Sequence, residues 1–193
     1  MPHLVSSDLQ RTRQTAERIG GVLRVAPALD AGVREKSYGI AEGRPKRWLD
    51  ERIVRTPAIG STFDHDEGIA GAETRREWIE RVFAAVARFD LTPAEHRIVV
   101  THGGTVSWVI AARMGLPIEA CDRLAFRVPS GSVSILKLDD RYRTRALVRL
   151  GDRSFIDLVL MIRLRRLGGA SAGRAAGSEH LLFQGDRSAR LPE

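Results

Sequence analysis

Apolar positions along the chain repeat at two spacings, and the spacing changes mark the elements. His3-Leu4-Val5 predicts the end of a strand. Behind it, Leu9, Ala16, Ile19 and Leu23 recur at helical intervals, and Ser7 with Gln10 forms a capping-box pattern. Gly20-Gly21 weakens the last turn of that helix. A second helix is predicted from Thr74 to Phe89. Thr74 and Glu77 match the capping box, and Trp78, Ile79, Val82, Phe83, Val86 and Phe89 form one stripe suited to core packing. Ile98-Val-Val-Thr101 is a short β-branched run and predicts a buried strand. A third helix starts at Thr105, turns Val106, Val109, Ile110 and Met114 inward, and stops near Gly115 with Pro117 beyond. Val133 to Leu138 and Thr144 to Leu150 predict a hairpin around Asp139-Asp140-Arg141. Residues 25–62 read as irregular, with a short helix around Trp48 to Val54, and residues 63–72 read as a loop. There is no internal repeat.

Composition narrows the class. A chain of 193 residues with 43% hydrophobic and 28% charged residues can build a single-domain core and is not disordered end to end. The net charge of +7 raises nucleic acid as a partner. Residues 1–140, however, hold 20 Lys+Arg against 19 Asp+Glu, and residues 141–193 hold 11 Arg against 5 acids. The basicity belongs to the last quarter, while residues 1–140 are nearly neutral, so nucleic acid is not expected as a partner. Residues 1–160 are expected to form the domain. Residues 161–193, with the Gly/Ala/Ser-rich run 167–177, are expected to form a basic flexible tail. The lone Cys121 forbids an internal disulfide and fits a reducing cytosol. It reads as a small, partly buried hydrophobe. No stretch approaches the ~18 apolar residues of a membrane span, and the first residues lack a signal-peptide pattern, so a cytoplasmic location with no membrane partner is expected.

Two segments share one design, a short strand feeding a tight turn and a helix start. One is Leu4-Val-Ser-Ser-Asp8, leading to Arg11; the other is Val99-Val-Thr-His-Gly-Gly104, leading to Thr105. Ligands of open α/β sheets gather beyond the carboxyl ends of strands, and helix N-termini there suit anions. Gly103 and Gly104 let the backbone approach closely. Arg11 can fork two N–H donors onto a phosphate or carboxylate. Singly these features are common, and His3, His65, His96 and His180 lie in no comparable context.

Taken in order, several segments resemble the histidine phosphatase superfamily, the phosphoglycerate-mutase-like proteins. These are Ser6 to Glu17, Val33-Arg-Glu-Lys-Ser-Tyr-Gly-Ile-Ala-Glu-Gly43, Gly71-Ala-Glu-Thr with Arg81-Val82, Ile98 to Gly104, and Pro129 to Ser134. The resemblance covers residues 3 to about 156. It implies an α/β fold of three α/β/α layers with a mainly parallel central sheet. It also implies phosphomonoester hydrolysis through a phosphohistidine, a small phosphorylated substrate, and neither cofactor nor metal. By position, Arg11 matches a phosphate-clamping arginine, Glu35 the acid that protonates the leaving oxygen, and His102 the second histidine that holds the phosphoryl oxygens. Gly103 falls in the phosphate-binding turn, and Tyr38 where mutase-type members place a substrate contact. A transferring phosphoryl group carries charge on three oxygens, which suits a site of Arg, His and N–H donors.

The family's nucleophile lies in an Arg-His-Gly motif, and this sequence contains none. In the family that motif precedes the Ser-Ser-Asp block by roughly fifty residues, enough for a strand, a loop and a helix. The expectation is a chain truncated at its N-terminus, lacking the first strand, with little or no turnover. The alternatives are a non-catalytic phosphate-binding or regulatory protein on the same fold, and a phosphoglycerate-mutase-type phosphotransferase.

Overall fold

In the computed structural model, residues 3–139 and 141–156 are described. The tail expected over 161–193 lies outside them. One compact unit spans residues 1–153. Its centre is a parallel sheet in the order β2 (Ala28–Leu29), β1 (His3–Ser6), β3 (Arg97–Val100). Register pairs Val5 with Ala28 on one side and Ser6 with Val100 on the other.

The pleat of β1 sorts its residues between two helical layers. Leu4 points to α1 (Gln10–Leu23), where its Cδ2 would lie 3.4 Å from a Cβ on Gly20. Val5 points the other way, into the core made by α3 (Arg75–Asp90) and α4 (Thr105–Met114). Both are buried on opposite faces of one strand, as a parallel sheet covered on both sides requires.

The helix α3 behaves as its stripe predicts. Trp78, Ile79, Val82, Val86 and Phe89 are buried, with Phe83 partly so, and both halves of the Thr74/Glu77 capping box form. Thr74→Ala is expected to lower stability by about 1 kcal/mol, read from the urea unfolding midpoint. Helix α4 departs from its predicted single stripe. Thr105, Ser107, Trp108, Val109, Ile110 and Ala111 are all buried, while Val106 and Met114 are only half-buried. It is a central helix, wedged by an edge-to-face contact between Trp108 and Trp78 at 5.4 Å. Gly115, at φ 73°, closes it.

Other expectations shift. No capping box forms at Ser7 and Gln10: the helix starts one residue past Leu9, with no side-chain cap, and Ser7 is instead used by the site described below. The short helix expected near Trp48 is α2 (Lys46–Asp50), because Pro45 preorganises its start and Lys46 pairs with Asp50 one turn on. The irregular segment also holds β2 and short 3-10 turns at Ala31–Val33 and Gly39–Ala41. Strands β4 (Val133–Asp139) and β5 (Thr144–Asp152) form the expected antiparallel hairpin. Cys121 is a free thiol and fully buried, and burial pushes its pKa up. Among the described residues no helix is long and apolar enough to cross a membrane.

Candidate functional site

Strand order builds the site. Because β1 and β3 are neighbours in register, the residues leaving their carboxyl ends meet: the Ser7 amide donates to the Val100 carbonyl at 3.0 Å. One step further, His102 Nε2 lies 2.9 Å from Ser7 Oγ, and Arg11 Nε donates to His102 Nδ1 at 3.1 Å. Residues 91 positions apart are thereby joined. Arg11, the second residue of α1, is exposed, whereas His102 is buried. Burial, followed by the Arg11 charge, lowers the His102 pKa; the Glu35 carboxylate works in the opposite direction.

Glu35 arrives from the segment after the Ala31–Val33 turn, which is strapped across the strand ends. Thr101 Oγ1 donates to the Val33 carbonyl at 2.7 Å, and Thr105 Oγ1 lies 2.8 Å from the Arg34 carbonyl. The Glu35 carboxylate then sits on the N-terminus of α4. Its Oε2 accepts from the Gly104 amide at 3.0 Å and its Oε1 from the Thr105 amide at 3.1 Å. These donors, expected from the sequence to meet a substrate anion, are therefore taken by the protein's own carboxylate. Among the described residues, the Gly103 amide has no such partner.

The two glycines also divide their work differently than expected. A Cβ on Gly103 would meet nothing within 4 Å, so its backbone faces open space. A Cβ on Gly104 would lie 2.6 Å from the Trp78 ring and 2.7 Å from Glu35 Oε1. Close approach is needed at Gly104 alone, and it serves Glu35.

Tyr38 lies on the same strap, half-buried, with Lys36 Nζ 5.0 Å from its ring centre. Burial raises its pKa, and the Glu67 and Glu35 charges add to this. Lys36 in turn pairs with Glu67 at 2.6 Å, and Tyr38 bridges to Ala72, so the 63–72 loop lies against the strap. Asp8 holds Arg34 through two bonds of 2.6 and 2.5 Å, and this pairing lowers the Asp8 pKa.

Two residues that carry the site are named in the sequence motifs but receive no site role from sequence reasoning. Arg81 of α3 grips Glu73 with Nε and Nη2 at 2.6 and 2.7 Å, and also donates to the carbonyls of Gly32 at 3.0 Å and Glu35 at 3.2 Å. Glu73 completes the clamp by accepting the Ser37 amide at 2.9 Å. Burial opposes ionisation of Glu73, but the Arg81 and Ser37 hydrogen bonds prevail and lower its pKa. The other is Ser7, whose motif is visible in the sequence although the partner of its oxygen is not. Periodicity carries no signal for either, since both act across long sequence separations.

His102 makes stability pH-dependent. The folded state resists protonating it, while the unfolded chain takes up that proton near the ordinary imidazole value of 6.5. The unfolded state therefore binds more protons on acidification. The stability due to neutral His102 is present above that value and is lost as pH falls through it to the lower folded-state pKa. The urea midpoint is expected to drop between about pH 7.5 and 5.5, and to drop less in His102→Gln.

The fold is an open parallel α/β domain whose polar cluster lies beyond the carboxyl ends of its strands. The chain belongs to the histidine phosphatase superfamily (branch 1), whose family model matches residues 1–152. It is 32% identical over 140 residues to proteins described as "Probable phosphoglycerate mutase GpmB" from Salmonella paratyphi B and Salmonella newport. That match takes in 71% of this chain and spans 62% of the length of those relatives. Among solved structures, it resembles the alpha-ribazole phosphatase of Shigella flexneri, with a TM-score of 0.61 at 21% identity over 78% of this chain and 73% of that one. It also resembles a mycobacterial glucosyl-3-phosphoglycerate phosphatase in complex with inorganic phosphate, with a TM-score of 0.54 at 22% identity over 79% and 77%.

Proposed function

We propose that this chain carries the phosphoryl-binding part of a histidine phosphatase site for a small phosphomonoester. The observation behind it is the Arg11–His102 contact, made at the junction of β1 and β3 beside an anchored Glu35. Arg11 supplies further guanidinium donors, and the Gly103 amide faces open space, so a tetrahedral anion has donors from two elements. Glu35 is the residue proposed to protonate the leaving oxygen, and Tyr38 to contact the substrate beyond it. The reaction proposed for a site of this kind is phosphomonoester hydrolysis through a phosphohistidine. The alpha-ribazole and glucosyl-3-phosphoglycerate phosphatases among the similar structures support a phosphomonoester substrate class.

This sequence holds no Arg-His-Gly, so the 193-residue chain is expected to bind phosphate with little or no turnover. The same observation supports a second reading, a phosphate-binding or regulatory role on this fold. Inorganic phosphate is expected to raise the melting temperature in both readings, while hydrolysis of p-nitrophenyl phosphate stays at background. Robust hydrolysis of that ester by the purified chain would overturn the expectation of inactivity. A melting temperature indifferent to phosphate would overturn the binding site itself. An Arg11→Ala variant with unchanged phosphate affinity would remove Arg11 from it.

A further inference from the structure

His102 is held at both ring nitrogens, and the two holders differ in kind. Arg11 Nε is a donor only, so Nδ1 must accept the bond at 3.1 Å. An imidazole whose Nδ1 accepts carries its proton on Nε2, and that proton goes to Ser7 Oγ at 2.9 Å. Ser7 is wholly buried and fixed from several sides. Its amide donates to Val100, its carbonyl accepts from Ser6 Oγ at 2.8 Å and Thr12 Oγ1 at 3.1 Å, and its Oγ also accepts the Leu9 amide at 3.3 Å. Arg11, by contrast, is exposed. One ring nitrogen is thus anchored in the core, and the other faces a side chain that can move.

We propose that Ser7 is a positioning residue that pins the Nε2 proton of His102, leaving Nδ1 as the titrating atom, and that a tetrahedral dianion is taken up at Arg11 together with one proton on Nδ1. This rests on the phosphate-binding reading above. Without a proton, Nδ1 presents a lone pair to an anionic oxygen and repels it. When the anion draws Arg11 Nε away, a proton from solvent bonds to Nδ1 and turns that acceptor into a donor. The arginine's other N–H groups stay with the anion. Three charged groups act on the ring. Arg11 from α1 and Arg81 from α3 oppose its protonation, and Glu35 from the strap favours it. Burial and the arginines keep the ring neutral while the site is empty, and a bound dianion reverses the balance.

Sulfate is the probe, because unlike phosphate it does not titrate near neutrality. Calorimetry of the full chain in buffers of different ionisation heat counts the protons taken up. Near pH 7.5 the expected uptake approaches one proton per sulfate, with affinity falling toward tenfold per pH unit above that. His102→Gln is expected to abolish the uptake. Ser7→Ala is expected to weaken sulfate binding about tenfold at the same pH and to displace the pH profile to lower values. Sulfate binding by the unaltered chain without proton uptake would overturn the inference and leave the phosphate site standing, as would a Ser7→Ala profile superimposable on the original. No binding of either sulfate or phosphate would remove both. Should Ser7→Ala fail to fold, 15N NMR of the imidazole in the unaltered chain decides. A protonated Nε2 with a bare Nδ1, both protonated once sulfate binds, supports the inference, and a bare Nε2 in the free protein overturns it.

Discussion

Arg81→Ala is expected to destabilise the fold by about 2–3 kcal/mol, the cost of removing one partner from a partly buried, charge-assisted hydrogen-bonded pair. Arg81 is about one-quarter exposed and its partner Glu73 one-fifth, so both charges are largely withdrawn from water. Without the guanidinium, the Glu73 carboxylate stays desolvated, with the Ser37 amide as its remaining close donor, and the carbonyls of Gly32 and Glu35 lose theirs. Urea unfolding followed by tryptophan fluorescence measures the loss. Glu73→Ala should cost a comparable amount. The double variant should cost well below the sum, because each single change already leaves the other charge unpaired. Additive losses would mean that the pair does not act as a unit. The strap bearing Glu35 depends on this clamp, so the variant should also loosen residues 31–37, seen as faster amide exchange there than in α4.

Gly104→Ala is expected to cost about 2–3 kcal/mol, at the upper end of overpacking penalties. The Gly104 backbone is ordinary helical, at φ −75° and ψ −46°, so the penalty is one of space. The added methyl meets the Trp78 ring and the Glu35 carboxylate at once, and neither can yield cheaply. Trp78 is locked by its Nε1 bond to Thr105 Oγ1 and its contact with Trp108, while Glu35 is seated on the α4 amides. Gly103→Ala, one residue away, should stay within about 0.5 kcal/mol of the original. Equal losses at the two positions would contradict the geometry. The contrast separates two glycines that look alike in the sequence.

The parts of the fold that rest on local pattern are legible in the sequence alone. The α3 stripe and its Thr74 cap, the β-branched run of β3, the Gly115 stop and the hairpin β4–β5 are all properties of neighbouring residues. So are Arg11, Glu35 and His102 as candidates, through the order of the motifs. What local pattern misreads shares one cause, the contribution of distant residues. Helix α4 reads as carrying one apolar stripe, but a helix buried nearly all round has no polar face for periodicity to find. Ser7 reads as a helix cap, because a serine three residues before a glutamine fits that role, yet its oxygen turns toward a histidine 95 residues along the chain.

By itself, then, the sequence determined which residue types stand at the ends of two strands and at the starts of two helices, because those choices answer to propensity and spacing. It also determined that no Arg-His-Gly is present. Only the tertiary structure decided what each donor meets. The parallel pairing of β1 with β3 brings Ser7 and Arg11 to opposite nitrogens of His102. The strap held by Arg81 delivers Glu35 to the α4 amides, so that the helix terminus is occupied by the protein's own carboxylate. Hydrogen-bond partners are chosen by geometry across long separations, and no short-range pattern records them.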